Sequence, residues 1–319
     1  MSTAVVRTAE GWWVERDERL HRIATDAHTT AELLADKPAV SAAARADGPG
    51  RPLAERDLLS PVTTPCRIVA QMVNYRSHAR DSGFDPDKVP PAFFRKASGS
   101  VTGPTGDIVR PAHVRLLDHE IELGLVLGAT LPIGAEVRAD GLSRYVAGLV
   151  VAQDISARDV QLPKTQFYEG KSYPTFTPLG PRLLLVDAHE LAALDRLRLT
   201  CAVNDVVRQD RTAADMITPP ARALTLLARF QTMEPGDVLL TGTPGGTALK
   251  SPGGLAATLG ALLPPDRRWK AFFAREAKNP LYLRHGDVLT SRISTADGAL
   301  DLGVQRGTVR VERERGAEA

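Results

Sequence analysis

Residues 116–128, LLDHEIELGLVLG, place Glu120 and Glu122 two apart in an otherwise apolar run. On a β-strand, residues i and i+2 point to the same face. The two carboxylates then stand side by side, while Ile121, Leu123, Leu125 and Leu127 occupy the other face. Like charges that close repel unless something positive sits between them. A third carboxylate, Asp154, ends the apolar run YVAGLVVAQD, and strand ends are where a rigid scaffold commonly presents site residues. Glu120, Glu122 and Asp154 together would make an all-oxygen site, and three carboxylates with no cysteine suit Mg²⁺ or Mn²⁺ better than zinc. On spacing alone, a Glu-x-Glu pair is more often the solvated face of a half-buried sheet, and spacing does not bring Asp154 to it.

Two further stretches carry chemistry. VNYRSHARDSG, residues 73–83, reads as a strand running into a short helix closed by Gly83. His78 and Asp81, at i and i+3, share a face of that helix, and a carboxylate beside an imidazole orients it as a general base. In ISARDVQLPKTQFYEGKS, Arg158 and Gln161 are again i and i+3, with Lys171 following in a Gly-Lys-Ser loop. One reading has these three clamping an anionic substrate. The plainer one has Arg158 paired with an acid and Lys171 solvated. TGTPGGT, residues 241–247, follows a strand but lacks the GK[ST] ending of a phosphate loop.

The elements that must hold these residues are mostly strands. Strands are expected near 67–73, 119–127, 147–153, 182–186, 198–208, 237–241, 287–293, 299–304 and 308–313. Helices are expected near 75–82, 155–162, 219–231 and 266–277. Strands outnumber helices and do not alternate with them regularly, which favours a mixed or antiparallel β core over a doubly wound sheet. Residues 1–61 read as a small separate N-terminal domain, with Thr29 or Thr30 capping a short helix and a Gly/Pro-rich linker near 45–55. Residues 62–319 form the second domain, with an insertion near 249–280 whose Trp269, Phe272 and Phe273 fall on one helical face.

The 319-residue chain has a formal net charge of +2 with no basic run, which argues against nucleic acid as a partner. Its two cysteines are far apart, so no disulfide framework is expected. The N-terminal stretch has no apolar segment of a signal peptide, and no run is long enough to span a bilayer. A cytoplasmic protein with no membrane partner is the expectation.

Taken in order, the motifs resemble the fumarylacetoacetate hydrolase superfamily: NYRSHARD, PAFFRKASGSVTGP, DHEIELGLVLG, QDISARDVQ, GKSYPTFTPLGP, VNDVVRQDRTAADMI and EPGDVLLTGTPGG. The resemblance implies an α+β, mostly β fold: a mixed β-roll with short helices behind a small N-terminal domain, and a homodimer. It implies that Glu120, Glu122 and Asp154 bind Mg²⁺ or Mn²⁺, and that His78, Asp81 and Lys171 are catalytic. Tyr75, Arg158, Gln161 and Thr243 are then expected to contact a small 2-oxo acid substrate. Three features depart from the family pattern: Asp81 stands where glutamate is common, Pro174 replaces an aspartate, and about thirty residues are inserted near 249–280.

The activity expected first is metal-dependent hydrolysis of a C–C bond in a 1,3-diketo acid such as an acylpyruvate or fumarylpyruvate, through an enolate. His78, oriented by Asp81, would activate water, and Lys171 would hold the leaving enolate. The alternative on the same site is decarboxylation, tautomerisation or isomerisation of an oxaloacetate-like 2-oxo acid. A third is a non-catalytic homologue.

Overall fold

The structure, a computed structural model, describes residues 2–54, 57–164, 166–251 and 264–312. It is mixed α/β and mostly strand, as expected, built on two sheets. The larger has ten strands, in the spatial order 51–52, 19–22, 11–16, 3–8, 183–185, 146–153, 121–127, 238–240, 68–72 and 92–96. Its pairings among the described residues are antiparallel except between Val238–Leu240 and Ile68–Met72, which run parallel. The second sheet orders 206–212, 198–203, 288–294, 301–311 and 105–110.

The Glu-bearing strand, Ile121–Leu127, lies inside the larger sheet, and all seven of its residues are buried. Its alternation divides two cores. Ile121, Leu123, Leu125 and Leu127 join a cluster reaching Leu199 and Ile293 of the second sheet. Val126 joins a cluster with Val5, Trp12, Leu33 and Val40 from the N-terminal segments. Those segments extend the sheet directly, since Thr3–Thr8 pairs antiparallel with Leu183–Leu185. Their helix Thr30–Ala35 is capped by Thr29 in a full capping box with Glu32, as the Thr-x-x-Glu spacing predicts.

Local signals place several turns correctly. The helix Arg76–Asp81 stops at Gly83, whose φ of +80° is left-handed, a conformation glycine adopts without a Cβ penalty. The two Gly-Asp pairs, Gly236–Asp237 and Gly286–Asp287, each open a strand. Asp237 accepts from the Glu234 N–H and Asp287 from the Arg284 N–H, closing each turn on its own backbone.

Two expectations change. The single strand expected over 198–208 is a hairpin, Arg198–Val203 and Val206–Thr212. Its loop residues Asn204 and Asp205 have φ of 49° and 63°, which Asn and Asp tolerate better than most residues. The two strands expected over 299–313 are one strand, Asp301–Val311, whose pairing partners continue through the expected break. The insertion's described part is the helix Pro265–Glu276, and residues 252–263 of it lie outside the described residues.

The loop after Val238–Leu240 is tightly fitted. At Gly246, φ is +109° and an added Cβ would sit 2.0 Å from the Arg208 carbonyl oxygen. Gly246→Ala is expected to cost about 2–3 kcal/mol through strain and overpacking, seen as a lowered thermal unfolding midpoint. Gly141→Ala, where nothing lies within 4 Å of the added Cβ, should leave the midpoint nearly unchanged.

Candidate active site

The strand Ile121–Leu127 pairs antiparallel with Val146–Gln153 in a register that sets Ile121 opposite Gln153. The next residue outward on each is Glu120 and Asp154, joined by the Asp154 N–H donating to the Glu120 carbonyl at 2.9 Å. Glu120, Glu122 and Asp154 therefore converge, each offering an oxygen within 4.8 Å of the others, and all three are buried. Glu120 and Glu122 enter the lining of a cavity of about 960 Å³, with His78, Arg158, Gln161, Lys171 and Thr243.

Three cations answer the carboxylates. The Lys171 ammonium donates to Glu120 Oε2 at 2.7 Å and to Asp154 Oδ2. Lys96 donates to Asp154 Oδ1 and, at 3.1 Å, to the Phe176 carbonyl. Arg158 donates through Nη2 to Glu120 Oε1, through Nε to Asp118 Oδ2 at 2.9 Å, and through Nη1 to Gln161 Oε1 at 2.9 Å. Four buried carboxylates, counting Asp118, thus face three cations.

The imbalance falls on Glu122. It accepts one backbone N–H, from Gly242 at 2.8 Å, and no described ion pair reaches it. Burial first, then the charges of Asp154 and Glu120, push its carboxyl well above the usual range. For Glu120, burial acts in the same upward direction, but Arg158 and Lys171 override it and hold the carboxyl far below the usual value. For Lys171, burial opposes the charge, yet Asp154 and Glu120 raise its ammonium above the ordinary lysine value. Burial dominates at Lys96 and lowers it. A clustered, all-oxygen, buried donor set with one carboxylate lacking a cation is chemistry that fits a hard divalent ion, and Glu120, Glu122 and Asp154 could hold one.

The loop 241–247 braces this floor. Besides the Gly242 bond, the Thr243 hydroxyl donates to the Ile121 carbonyl at 2.9 Å and accepts from Gln209 Nε2 at 2.8 Å. Gly245 N–H donates to Ser77 Oγ at 2.9 Å and Gly246 N–H to Asp81 Oδ2 at 3.0 Å. Asp81 also lies 3.9 Å from the Lys250 ammonium.

Among the described residues Asp81 makes no hydrogen bond to His78, although the two share a helical face; one of its carboxylate oxygens accepts the Gly246 N–H instead. His78 stands at the cavity wall with its Nδ1 buried and without a hydrogen-bond partner. Burial, the largest influence, lowers its pKa and favours the neutral ring.

The expected substrate contacts divide. Lys171, Arg158, Gln161 and Thr243 reach the cavity, but Arg158 and Gln161 already satisfy each other, and Thr243 is committed to the loop. Tyr75 does not reach the cavity lining. It is fully buried in the main core, and its backbone bridges to Met216. Lys96 and Asp118 were not singled out from sequence. A lysine ending the strand AFFRK is one weak sign, since residue 96 shares a strand face with Phe94. Asp118 gave no local sign. It gathers the Arg158 guanidinium and the N–H groups of Ala248 and Leu249, at 2.8 and 3.1 Å.

Comparison with known proteins agrees with this architecture. The family model described as fumarylacetoacetate (FAA) hydrolase C-terminal matches residues 67–310. The mitochondrial oxaloacetate tautomerase FAHD2A of Bos taurus is 35% identical over 203 residues, and the aligned part spans 63% of this chain and 63% of that relative's length. Among solved structures, a probable 2-hydroxyhepta-2,4-diene-1,7-dioate isomerase from Mycobacterium abscessus superposes with a TM-score of 0.73 at 28% identity, covering 98% of this chain and 100% of that one. A putative HpcE protein from Mycobacterium smegmatis has the same TM-score and coverage at 25% identity.

If the carboxylates hold a divalent cation, titrating the metal-free protein with MgCl₂ or MnCl₂ should raise its thermal midpoint. At a hundred times the dissociation constant the stabilisation is about 2.7 kcal/mol. Glu122→Gln should abolish most of the rise, read by the same thermal shift and by calorimetric titration of the ion.

Proposed function

Because the chain belongs to the fumarylacetoacetate hydrolase family, we propose that it moves a proton on a small 2-oxo acid, interconverting keto and enol forms as an oxaloacetate-type tautomerase or isomerase. The observation that carries this reading over C–C hydrolysis is the pairing of Asp81 with Gly246 rather than with His78. Hydrolysis at the distal carbonyl needs a base held in position to deliver water, and the acid expected to hold it is engaged elsewhere. Enolisation asks less, since the proton beside a keto group leaves more readily once the oxygen is stabilised.

In this reading Glu120, Glu122 and Asp154 hold Mg²⁺ or Mn²⁺, which when bound supplies Lewis-acid polarisation of the keto group. Lys171, charged and set between two of those carboxylates, presents a fixed positive charge where oxygen charge develops. Neutral His78, on the same cavity wall, is the acceptor for the departing carbon-bound proton. Arg158 keeps Glu120 ionised and oriented, with Asp118 and Gln161 fixing its guanidinium. Lys96 does the same for Asp154. The tautomerase named among the relatives and the isomerase among the solved structures support proton transfer as the reaction class. A homodimer belongs to the same reading, supported by the family resemblance; among the described residues no helix is long and apolar enough to cross a membrane.

Hydrolysis of an acylpyruvate is the second reading, favoured by the place of His78 in the cavity lining. The buried carboxylates and Lys171 weigh against a non-catalytic homologue.

The two reactions separate by mutation. With Mg²⁺ or Mn²⁺ present, Lys171→Ala is expected to lower kcat/KM for oxaloacetate keto–enol interconversion about 10³-fold, and His78→Ala, which removes the proton acceptor, about 10²-fold, followed by enol absorbance. If instead His78→Ala removes about 10²–10⁴-fold of acylpyruvate cleavage, and the wild-type protein leaves oxaloacetate untouched, the hydrolase reading replaces this one.

A further inference from the structure

The cavity is uneven in a way that the proton-transfer reading does not require. Its carboxylates, with Lys171, Arg158 and Gln161, gather at one floor. The remaining lining is mainly apolar and aromatic, including Met72, Phe84, Phe94, Phe167, Trp269 and Phe272, with Ser82, Lys250, Ser251 and Arg275 among it. At about 960 Å³ it lies at the top of the range of about 300–1,000 Å³ typical of pockets that enclose drug-sized ligands. A four-carbon dicarboxylic acid would leave most of it unfilled.

The aromatic groups are organised from the floor outward. The Lys171 ammonium lies 5.0 Å from the centroid of the Phe94 ring. Phe94 in turn meets Phe167 edge to face, with centroids 5.3 Å apart and planes at 79°. A second set stands on the helix Pro265–Glu276. There Phe273 packs with Leu116, Ala248 and Tyr282 and anchors the helix. Trp269 and Phe272, edge to face at 5.8 Å, line the cavity.

A second carboxylate on the substrate would find little to receive it. Each of the four lysines and arginines in the lining already faces an acid: Lys171 and Arg158 at the floor, Lys250 at Asp81, and Arg275 at Glu276. Arg275 also lies over the Phe272 ring, 5.5 Å from its centroid. Carrying an ionised group against the aromatic walls would cost its hydration, and the two cations beyond the floor, Lys250 and Arg275, already face Asp81 and Glu276 and are about half exposed to solvent.

We infer that the substrate is a 2-oxo acid whose distal arm is an aromatic or comparably bulky apolar group, seated against Phe94, Phe167, Trp269 and Phe272. This rests on the 2-oxo acid reading above and narrows it. The head of such a molecule meets the carboxylate floor and Lys171, and the arm fills the aromatic part of the cavity. Aromatic rings gain from edge-to-face contact there beyond the area they bury.

The test uses the full-length protein loaded with Mg²⁺, with phenylpyruvate and oxaloacetate as substrates. Keto–enol interconversion is followed by enol absorbance and binding by calorimetry. The expected result is a kcat/KM for phenylpyruvate at least tenfold above that for oxaloacetate, with a negative heat-capacity change on binding. In Trp269→Ala that preference should fall about tenfold, in the range one apolar pocket contact is worth, and Trp269→Phe should restore most of it. Turnover of oxaloacetate with no aryl preference, or a preference that Trp269→Ala leaves unchanged, overturns the apolar arm and leaves the 2-oxo acid reading standing. Neither turnover nor calorimetric binding of either acid overturns both.

Discussion

Gathering Glu120, Glu122 and Asp154 within 4.8 Å in a buried place is the constraint around which the rest of the molecule is arranged. Removing one ionised carboxylate from water costs several kcal/mol, and a neighbouring carboxylate adds to that cost. The protein meets it by bringing Lys96, Lys171 and Arg158 from three separate segments and burying them as well. Each cation alone would be as costly as the acids. The arrangement is stable because every oxygen of Glu120 and Asp154 has a donor, and because Asp118 and Gln161 satisfy what is left of Arg158. Glu122 is the exception, and a buried group left out of balance is a common mark of a functional site.

That electrostatic cluster needs a rigid frame, and two features supply it. The central strand is buried on both faces, so it is locked between the main core and the core shared with the N-terminal segments. The loop 241–247 then ties the strand to the helix Arg76–Asp81 through the Gly242, Gly245 and Gly246 N–H groups and the Thr243 hydroxyl, and to the second sheet through Gln209 Nε2, which donates to Thr243 Oγ1 and to the Pro244 carbonyl. Its glycines are dictated by space: at Gly246 the Arg208 backbone leaves no room for a Cβ. The same loop that donates to Glu122 through Gly242 also donates to Asp81 through Gly246.

Above the floor, polarity changes abruptly. Lys171 touches both zones, with its ammonium on the carboxylates and close to the Phe94 ring. An apolar enclosure lowers the local dielectric and strengthens every charge interaction beneath it. The helix Pro265–Glu276 contributes to this enclosure through Trp269 and Phe272, so the inserted segment bears on the cavity and not merely on the surface.

Much of the local structure was legible in the sequence. Period-two alternation put Glu120 and Glu122 on one face, the threonine pair Thr29–Thr30 marked a helix start, and Gly83 marked a helix end. These depend on neighbours a few residues away, where the geometry of strand and helix fixes the answer. The ordered motifs also named the family. What the sequence left open was every partnership across long separations. The register of Ile121 against Gln153 brings Asp154 beside Glu120, and the pairing of Ala92–Lys96 with Ile68–Met72 fixes the strand that ends in Lys96. The choice of Gly246 over His78 as the partner of Asp81 was equally invisible, as was the inward turn of Tyr75. Side-chain spacing says which groups share a face. Which distant group meets that face is settled by sheet register and loop packing, through contacts between segments far apart in the chain that local periodicity does not encode.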